Sequence, residues 1–180
     1  PHHRAALFAG AALPASAATL SVGSLPSGFY GSTTVVLPEA TLVSGGDNFY
    51  FGGASNVPGS FCATSGYSCQ ADLTLTFASA VANLSFNVSG ADAGDNVLLS
   101  IFNGASLLGQ LTFTFDTAVD LSSYGAITGL FFDDSSSGAG VAYSNFSFDT
   151  VQVAPVPVPA AMRLLAAAFG GLAVARRRKA

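Results

Sequence analysis

Positive charge is missing from most of this 180-residue chain. Between positions 19 and 154 the sequence has no Lys, Arg or His, yet it holds all ten acidic residues, which amounts to a formal charge of −10. Because such a region repels phosphate backbones, the composition excludes nucleic acid as a partner. The six basic residues all lie near the two ends of the chain: Arg4, Arg163, Arg176, Arg177, Arg178 and Lys179.

The absence of His and Lys from this stretch also excludes several kinds of catalytic site. A Ser-His-Asp arrangement, a Cys-His pair and a Lys nucleophile cannot be assembled without those residues. A zinc site with His ligands is excluded for the same reason. Hydrolysis by two carboxylates stays open, but no two of the ten acidic residues stand out as such a pair. We therefore expect a protein that is not an enzyme.

Trp is also absent. Carbohydrate sites commonly stack a flat aromatic ring against the sugar, so in this chain tyrosines would have to supply that surface. Most of the five tyrosines stand beside Gly or Ser, which is typical of loops: Tyr30, Tyr50, Tyr67, Tyr124 and Tyr143. A glycan-binding role is therefore open to this chain.

Cysteine is scarce, with only Cys62 and Cys69 in the stretch FCATSGYSCQ. Their spacing is not C-x-x-C and no His lies near them, which disfavours a metal site or a redox pair. In an oxidising compartment they would close a small loop and stabilise the fold by roughly 2 to 3 kcal/mol. We predict a disulfide between Cys62 and Cys69.

Short segments with period-two patterning fill the middle of the chain, separated by clusters of Gly, Ser and Asp. The predicted strands are 33–37, 48–52, 72–77, 82–88, 96–102, 110–115, 127–132 and 145–153. No helical pattern of the kind that a parallel crossover requires lies between them. The chain is therefore predicted to form an all-β domain at 18–154, an antiparallel β-sandwich with jelly-roll-like topology.

Alternation along these strands also predicts which side chains face the core. Three sets are predicted to be buried: Leu73, Leu75 and Phe77; Leu111, Phe113 and Phe115; and Phe146 and Phe148. We interpret these phenylalanines as core residues and not as a binding surface.

Acidic residues in and near the predicted loops are candidates for a calcium site, because Ca²⁺ prefers carboxylate and carbonyl oxygens. The candidates are Asp92, Asp95, Asp133, Asp134 and Asp149. They form neither the EF-hand pattern nor a glycine-rich nonapeptide repeat. We interpret them first as solvated turn residues, with no cofactor required and calcium as the alternative.

The N-terminus, 1–17, has the pattern of a signal helix for export. A polar, basic lead precedes a nine-residue apolar run at 5–13, which is too short to span a bilayer core of about 30 Å. Pro14 and small residues follow, with Ala15 and Ala17 forming an A-x-A site. This pattern predicts export by the Sec machinery and cleavage by signal peptidase after Ala17. Because the chain does not begin with Met, we expect a longer basic lead.

The C-terminal segment, 155–180, has three parts. Prolines at positions 155, 157 and 159 predict an extended connector. The apolar stretch 160–175, interrupted by Arg163, would be about 24 Å long as a single transmembrane helix, against a hydrocarbon core of about 30 Å. Four basic residues follow, which we expect to stay on the cytoplasmic side of the membrane: Arg176, Arg177, Arg178 and Lys179.

The connector contains the motif Val156, Pro157, Val158, Pro159 and Ala160. Together with the short apolar helix, the basic end, the signal peptide and the acidic β-rich body, it resembles the sorting signal of bacterial PEP-CTERM proteins, and in particular the subgroup whose motif reads V-P-L-P-A. Val158 stands where that subgroup has Leu and the commonest form has Glu. The resemblance implies that an exosortase, a membrane-embedded cysteine protease, recognises the motif, cleaves there and releases the domain or transfers it to the cell surface or extracellular polymer.

These features predict an exported, surface-sorted and non-catalytic β-sandwich protein of the cell surface or exopolysaccharide matrix, anchored transiently in the inner membrane. The expected partners are an exosortase, the export machinery with its signal peptidase, and extracellular polysaccharide. The alternative is a calcium-dependent glycan-binding module.

Overall fold

The alternating stretches of the sequence become antiparallel strands in the computed structural model, which describes residues 16–151. Three short 3₁₀ turns, at Ser21–Ser24, Ala54–Asn56 and Ser122–Tyr124, are the helical segments of this range. The twelve strands of the same range are β1 (Ala17–Thr19), β2 (Gly28–Phe29), β3 (Thr34–Val36), β4 (Ala40–Ser44), β5 (Asn48–Phe51), β6 (Phe61–Thr64), β7 (Leu73–Ser89), β8 (Val97–Asn103), β9 (Ser106–Phe113), β10 (Thr117–Asp120), β11 (Ile127–Asp134) and β12 (Ala142–Thr150).

The strands form two layers joined by β7, which is long enough to belong to both. In the first layer the order is β3-β4-β7-β11-β8-β9. In the second layer it is β2-β5-β6-β12-β7-β10, with β1 beside β12. Every pair of these strands is antiparallel, so the predicted all-β antiparallel architecture is confirmed.

A bend in β7 carries the chain from one layer to the other. The sequence pattern predicts two separate strands here, whereas the structure has one continuous strand of 17 residues. From Ile127 to Gly129 on β11, the paired position on β7 moves from Val81 to Thr76, so a short piece of β7 is left unpaired with β11. The residues at 78–80 are Ala, Ser and Ala, whose small side chains allow the strand to bend. No Gly or Pro stands at these positions, so the sequence carries no signal that separates one continuous strand from two.

Aromatic side chains fill the space between the two layers. Phe132 on β11 and Tyr143 on β12 come from different layers, and their ring centroids are 4.4 Å apart. Phe86, in the second-layer part of β7, stacks on Phe146 at 4.8 Å and meets Phe113 of the first layer at 6.4 Å. Removing these rings from water is the main force that holds the layers together.

The predicted core residues are mostly confirmed. Phe115 is the exception, because 67% of its surface is exposed. Strand β9 ends at Phe113, so the alternation that predicted burial of Phe115 no longer applies two residues later, and that prediction was wrong. Leu111 is half-buried. The remaining members of the three sets are buried: Leu73, Leu75, Phe77, Phe113, Phe146 and Phe148.

Three strands at one edge of the second layer, β2, β5 and β6, support the site described below. The sequence pattern predicts β5 but not the other two. Strand β2 has only two residues, and all four residues of β6 are buried, so neither shows an alternation that could be recognised. Strands β2 and β6 both pair with β5, one on each side of it, so that Phe29 lies opposite Tyr50 and Tyr50 lies opposite Cys62.

The jelly-roll-like connectivity stays a prediction. The predicted signal helix and the predicted transmembrane helix lie outside residues 16–151. Within residues 16–151, no helix has the length and apolar character needed to cross a membrane.

Candidate functional site

Strand alternation places a row of aromatic and sulfur-containing side chains on the outer face of the second layer. Phe49 and Phe51 of β5 are buried in the main core, so Tyr50 between them faces the opposite way. The neighbours of Tyr50 across the sheet are Phe29 on β2 and Cys62 on β6. The row Phe29, Tyr50 and Cys62 therefore crosses the edge of the sheet on its outer side.

A loop closed by a disulfide folds over this row. Cys62 and Cys69 are joined by an S–S bond of 2.01 Å, so the predicted disulfide is confirmed. Within the loop, Ser65 N–H donates to the Ser68 carbonyl at 3.0 Å and Ser68 N–H donates back at 3.2 Å. These bonds form a tight turn that places Tyr67 at its tip, where 91% of the residue surface is exposed.

Backbone hydrogen bonds attach the same loop to the rest of the domain. Gly66 N–H donates to Asp47 Oδ2 at 2.9 Å. Cys69 N–H donates to the Ala139 carbonyl at 2.8 Å, and Val141 N–H donates to the Cys69 carbonyl at 2.9 Å. Gly140 lies between those two contacts, and a Cβ there would collide with the Cys69 carbonyl. The loop that carries Tyr67 is thus held from both sides.

Three aromatic rings meet at this position. The ring centroid of Phe29 lies 5.0 Å from that of Tyr50 and 5.3 Å from that of Tyr67, with interplanar angles of 71° and 85°. They border a cleft of about 250 Å³, which we call the aromatic cleft. Phe29 keeps 46% of its surface exposed. The other lining residues are Gly53, Ala54, Ser55, Asn56, Thr64, Cys69 and Ala139.

Polar groups also line the aromatic cleft. Ser55 and Asn56, in the 3₁₀ turn at one wall, have left-handed backbone angles, with φ of 51° and 58°. Such conformations are uncommon for residues other than Gly and concentrate at functional sites. Thr64, at the end of β6, is fully buried, and its hydroxyl has no hydrogen-bond partner within residues 16–151. The cleft therefore combines apolar rings with a few hydroxyl and amide groups.

The five tyrosines separate into different environments. Tyr50 and Tyr67 line the aromatic cleft, and Tyr30 stands beside Phe29 in the chain, with 5.7 Å between its ring centroid and that of Phe51. Tyr124 packs against the main core, and Tyr143 is buried within it. Sequence reasoning missed Phe29, although its position in the glycine-flanked stretch GFYG was a signal for an exposed segment.

Three larger clefts lie elsewhere on the described surface. One, of about 440 Å³, has Phe146 as the single aromatic residue of its lining. Another, of about 460 Å³, is lined by 111–120 and includes the exposed ring of Phe115. The third, of about 430 Å³, lies on the first layer and includes the half-buried rings of Phe102 and Phe131.

The cleft of about 430 Å³ also joins rings from three strands, because Phe77 lines it together with Phe102 and Phe131, but Phe77 is buried and the other two are half-buried. The aromatic cleft differs because Phe29 and Tyr67 are both exposed.

Four of the five predicted calcium candidates lie in or beside two neighbouring loops. Asp95 is buried, with its Oδ1 accepting from Ser137 N–H at 2.9 Å and its Oδ2 from Asp92 N–H at 3.0 Å. Asp134 Oδ1 accepts from Ser136 N–H at 2.9 Å. Backbone groups thus already use both oxygens of Asp95 and one of Asp134, while Asp92 and Asp133 are exposed.

Asp149, the fifth candidate, lies on strand β12 and not in these two loops. It lies opposite Ala17 of β1 and Ala82 of β7, and its Oδ2 accepts from Asn83 Nδ2 at 2.8 Å. Across residues 16–151, the structure brings together no three His, Cys, Asp or Glu side chains that could hold a metal ion.

Burial changes the ionisation of two groups near the loops. It raises the pKa of the Asp134 carboxyl, an effect that the Ser136 hydrogen bonds oppose and the charges of Asp95 and Asp72 reinforce. Burial likewise raises the pKa of the Tyr143 hydroxyl well above its usual range, with the charges of Asp134 and Asp72 acting in the same direction. Tyr143 therefore stays neutral and contributes to packing in the main core.

Among the sequence-predicted processing sites, the structure describes only Ala17. It is the first residue of β1, so cleavage after it would leave Ala18 and Thr19 paired with β12. Ala15, the motif at 156–160 and the basic cluster at 176–179 lie outside the described residues.

Comparisons with known proteins found distant matches only. No family model matches the chain, and no curated protein matches it. Among solved structures, a variant of a family 29 carbohydrate-binding module matches with 14% identity and a TM-score of 0.34, covering 79% of this chain and 100% of that one. A family 29 module variant complexed with cellulohexaose matches with 14% identity and a TM-score of 0.33, covering 78% and 98%. Similarity at this level establishes neither a shared fold nor a shared ligand.

Proposed function

We propose that this protein is a non-catalytic glycan-binding module and that the aromatic cleft is its binding site. The observation that carries the proposal is the meeting of Phe29, Tyr50 and Tyr67 around one cleft, where Phe29 keeps about half of its surface exposed and Tyr67 nearly all of it. Exposed clustered rings cost free energy in water, so they mark a contact surface. Aromatic rings beside a few polar groups are the usual lining of a small-molecule site, and they match a sugar, which has apolar C–H faces and polar hydroxyls.

The way the cleft is built supports binding. The disulfide and the backbone bonds of Gly66 and Cys69 hold the loop of Tyr67 before any ligand arrives. A site that is already ordered loses less conformational entropy on binding, which improves affinity. Among the described residues, the lining of the cleft includes no Asp, Glu, Lys or His, which leaves the hydroxyls of Tyr50 and Tyr67 as its side chains of the general acid–base type.

We further propose that the module is exported and then sorted to the cell surface, where extracellular polysaccharide would be its ligand. The terminal segments support this proposal, as argued from their resemblance to exosortase substrates. The disulfide is consistent with it, because such bonds persist in oxidising compartments outside the cytoplasm. Glycan binding in this form does not require calcium.

A glycan-array screen of the full chain, followed by titration of the glycans that bind, tests the proposed site. We expect Tyr67→Ala to weaken binding about tenfold, the scale of one lost aromatic contact. Phe115→Ala is the matched control, since Phe115 is an exposed ring outside the cleft and its removal should leave affinity unchanged. Equal affinities of the two variants would place the binding surface elsewhere, and no binding to any glycan would refute the function.

A further inference from the structure

One residue that lines the aromatic cleft, Thr64, carries a buried hydroxyl that the fold leaves unpaired. Thr64 follows Cys62 by two residues on β6, so its side chain faces the same outer side, below the disulfide loop. The residue is fully buried and lines the cleft, but its Oγ1 has no hydrogen-bond partner within the described chain. A buried hydroxyl without a partner is unfavourable, so a ligand that supplies one would gain free energy.

Another buried hydroxyl near this site, that of Ser60, shows that the fold can satisfy such a group. Ser60, the residue before β6, is fully buried, and its hydroxyl lies 2.5 Å from the Ala54 carbonyl and 2.6 Å from that of Val57. The unpaired oxygens of Ser136, Tyr143 and Ser144 lie elsewhere and do not line the cleft. Thr64 is thus the unpaired buried hydroxyl that faces this binding surface.

Charge around the cleft limits which sugars can enter. The side chains that line it are uncharged, and the carboxylate of Asp47 supports the loop that carries Tyr67. The sequence from 19 to 154 has no Lys, Arg or His to neutralise a ligand's carboxylate or sulfate. A charged sugar would therefore lose hydration without gaining an ion pair and would be repelled by the acidic domain.

The angles between the rings limit the shape of the ligand. Phe29 makes angles of 71° with Tyr50 and 85° with Tyr67, so the three rings do not form a flat platform. A flat surface of packed polysaccharide chains could not contact all three. A single sugar chain can instead place one of its residues in the cleft that the rings border.

We propose that the aromatic cleft binds an uncharged sugar residue of a soluble glycan chain, one hydroxyl of which forms a hydrogen bond with Thr64 Oγ1. This inference rests on the proposed function and deepens it by naming the ligand class and a specificity-determining residue. Thr64 acts as donor or acceptor toward the sugar hydroxyl, since a hydroxyl can do both.

Thr64→Val tests the hydrogen bond, because Val has nearly the same shape without the hydroxyl. In the full chain we expect glycan affinity to fall about 3- to 10-fold, the scale of one neutral hydrogen bond. The melting temperature should stay the same or rise, because an unpaired buried hydroxyl is removed. Thr64→Ser keeps the hydroxyl and should keep most of the affinity, while Thr112→Val, an exposed residue of β9, should change neither quantity.

Each outcome of this experiment decides a different question. Wild-type affinity in Thr64→Val, with glycan binding by the parent chain intact, overturns the role of Thr64 and leaves the proposed function standing. Loss of binding in Thr64→Val together with a lower melting temperature, also seen in Thr64→Ser, indicates a structural role and overturns the inference as well. Absence of binding by the parent chain overturns the proposed function together with this inference.

A neutral polysaccharide and the same polymer oxidised to carry carboxylates test the ligand class. The neutral form should bind at least tenfold more tightly at low salt, and the difference should shrink as salt screens the repulsion. Equal or tighter binding of the carboxylated form would overturn the assignment to uncharged sugars. Binding to an insoluble, crystalline form but not to the soluble chain would overturn the inference drawn from ring geometry.

Discussion

Phe29 and Tyr67 meet edge to face with their ring centroids 5.3 Å apart, although one ends a two-residue strand and the other stands at the tip of a loop. No strand pairing joins these two segments among the described residues. Tyr67 is almost fully exposed and Phe29 keeps 46% of its surface exposed, so little apolar burial holds the ring of Tyr67 in place. Their contact depends on the covalent and backbone bonds that fix the loop.

Removing the disulfide should therefore affect both stability and binding. We expect Cys62→Ala with Cys69→Ala to lower the free energy of unfolding by about 2 to 3 kcal/mol, the chain-entropy estimate for so short a loop, as measured by urea denaturation. Glycan affinity should fall as well, because Tyr67 is no longer held beside Phe29. Ser68→Ala, which leaves the disulfide intact, is the control. Unchanged affinity in the double variant would show that backbone bonds alone position Tyr67.

Asp134 should make the stability of the domain depend on pH. Because burial raises its pKa in the folded state, the folded chain binds a proton more readily there than the unfolded chain does. The stabilisation from protonation is fully present below the unfolded pKa of about 3.9 and is lost as pH rises through the higher folded pKa.

Asp134→Asn should thus raise the melting temperature at neutral pH. The gain should shrink as pH falls through the raised folded pKa and should be absent below about 4. The Asn side-chain oxygen can still accept from Ser136 N–H, while the repulsion from Asp95 and Asp72 disappears. Asp133→Asn is the control, since Asp133 is exposed. A lower melting temperature for Asp134→Asn at neutral pH would contradict the role assigned to burial.

Calcium should leave the melting temperature unchanged at millimolar concentration. Backbone N–H groups already use both oxygens of Asp95, so a calcium ion would have to compete with the bonds from Asp92 and Ser137. A ligand that binds only the folded state raises the melting temperature with its concentration, which makes thermal unfolding a sensitive measurement. An increase with calcium but not with magnesium would identify a specific site and favour the calcium-dependent alternative.

Processing of the C-terminal segment is testable in cells. In bacteria that possess an exosortase, we expect the protein to lose its tail and reach the cell surface or medium, as followed by immunoblotting and mass spectrometry. Pro157→Ala with Pro159→Ala should retain the tail, whereas Pro155→Ala, outside the motif at 156–160, should be processed normally. Persistence of full-length wild-type protein in the membrane would mean that the tail is only an anchor.

Local patterns predicted much of the fold and little of the site. Alternation in LTLTF was enough to identify the buried face of β7, because successive side chains of a strand point to opposite faces of the sheet. The same rule failed for Phe115, because the sequence does not show where β9 ends. Strands β2 and β6 were missed because short or fully buried strands have no recognisable period.

The sequence by itself determined the all-β class, the pairing of Cys62 with Cys69 and the lack of positive charge around any ligand. These properties follow from composition, short-range patterns and a count of two cysteines. Only the tertiary structure decided that Phe29, Tyr50 and Tyr67 form one cleft above Thr64. Their meeting depends on the register of β5 with both of its neighbours and on the loop folded over them, and contacts between distant segments leave no periodic pattern in a single sequence.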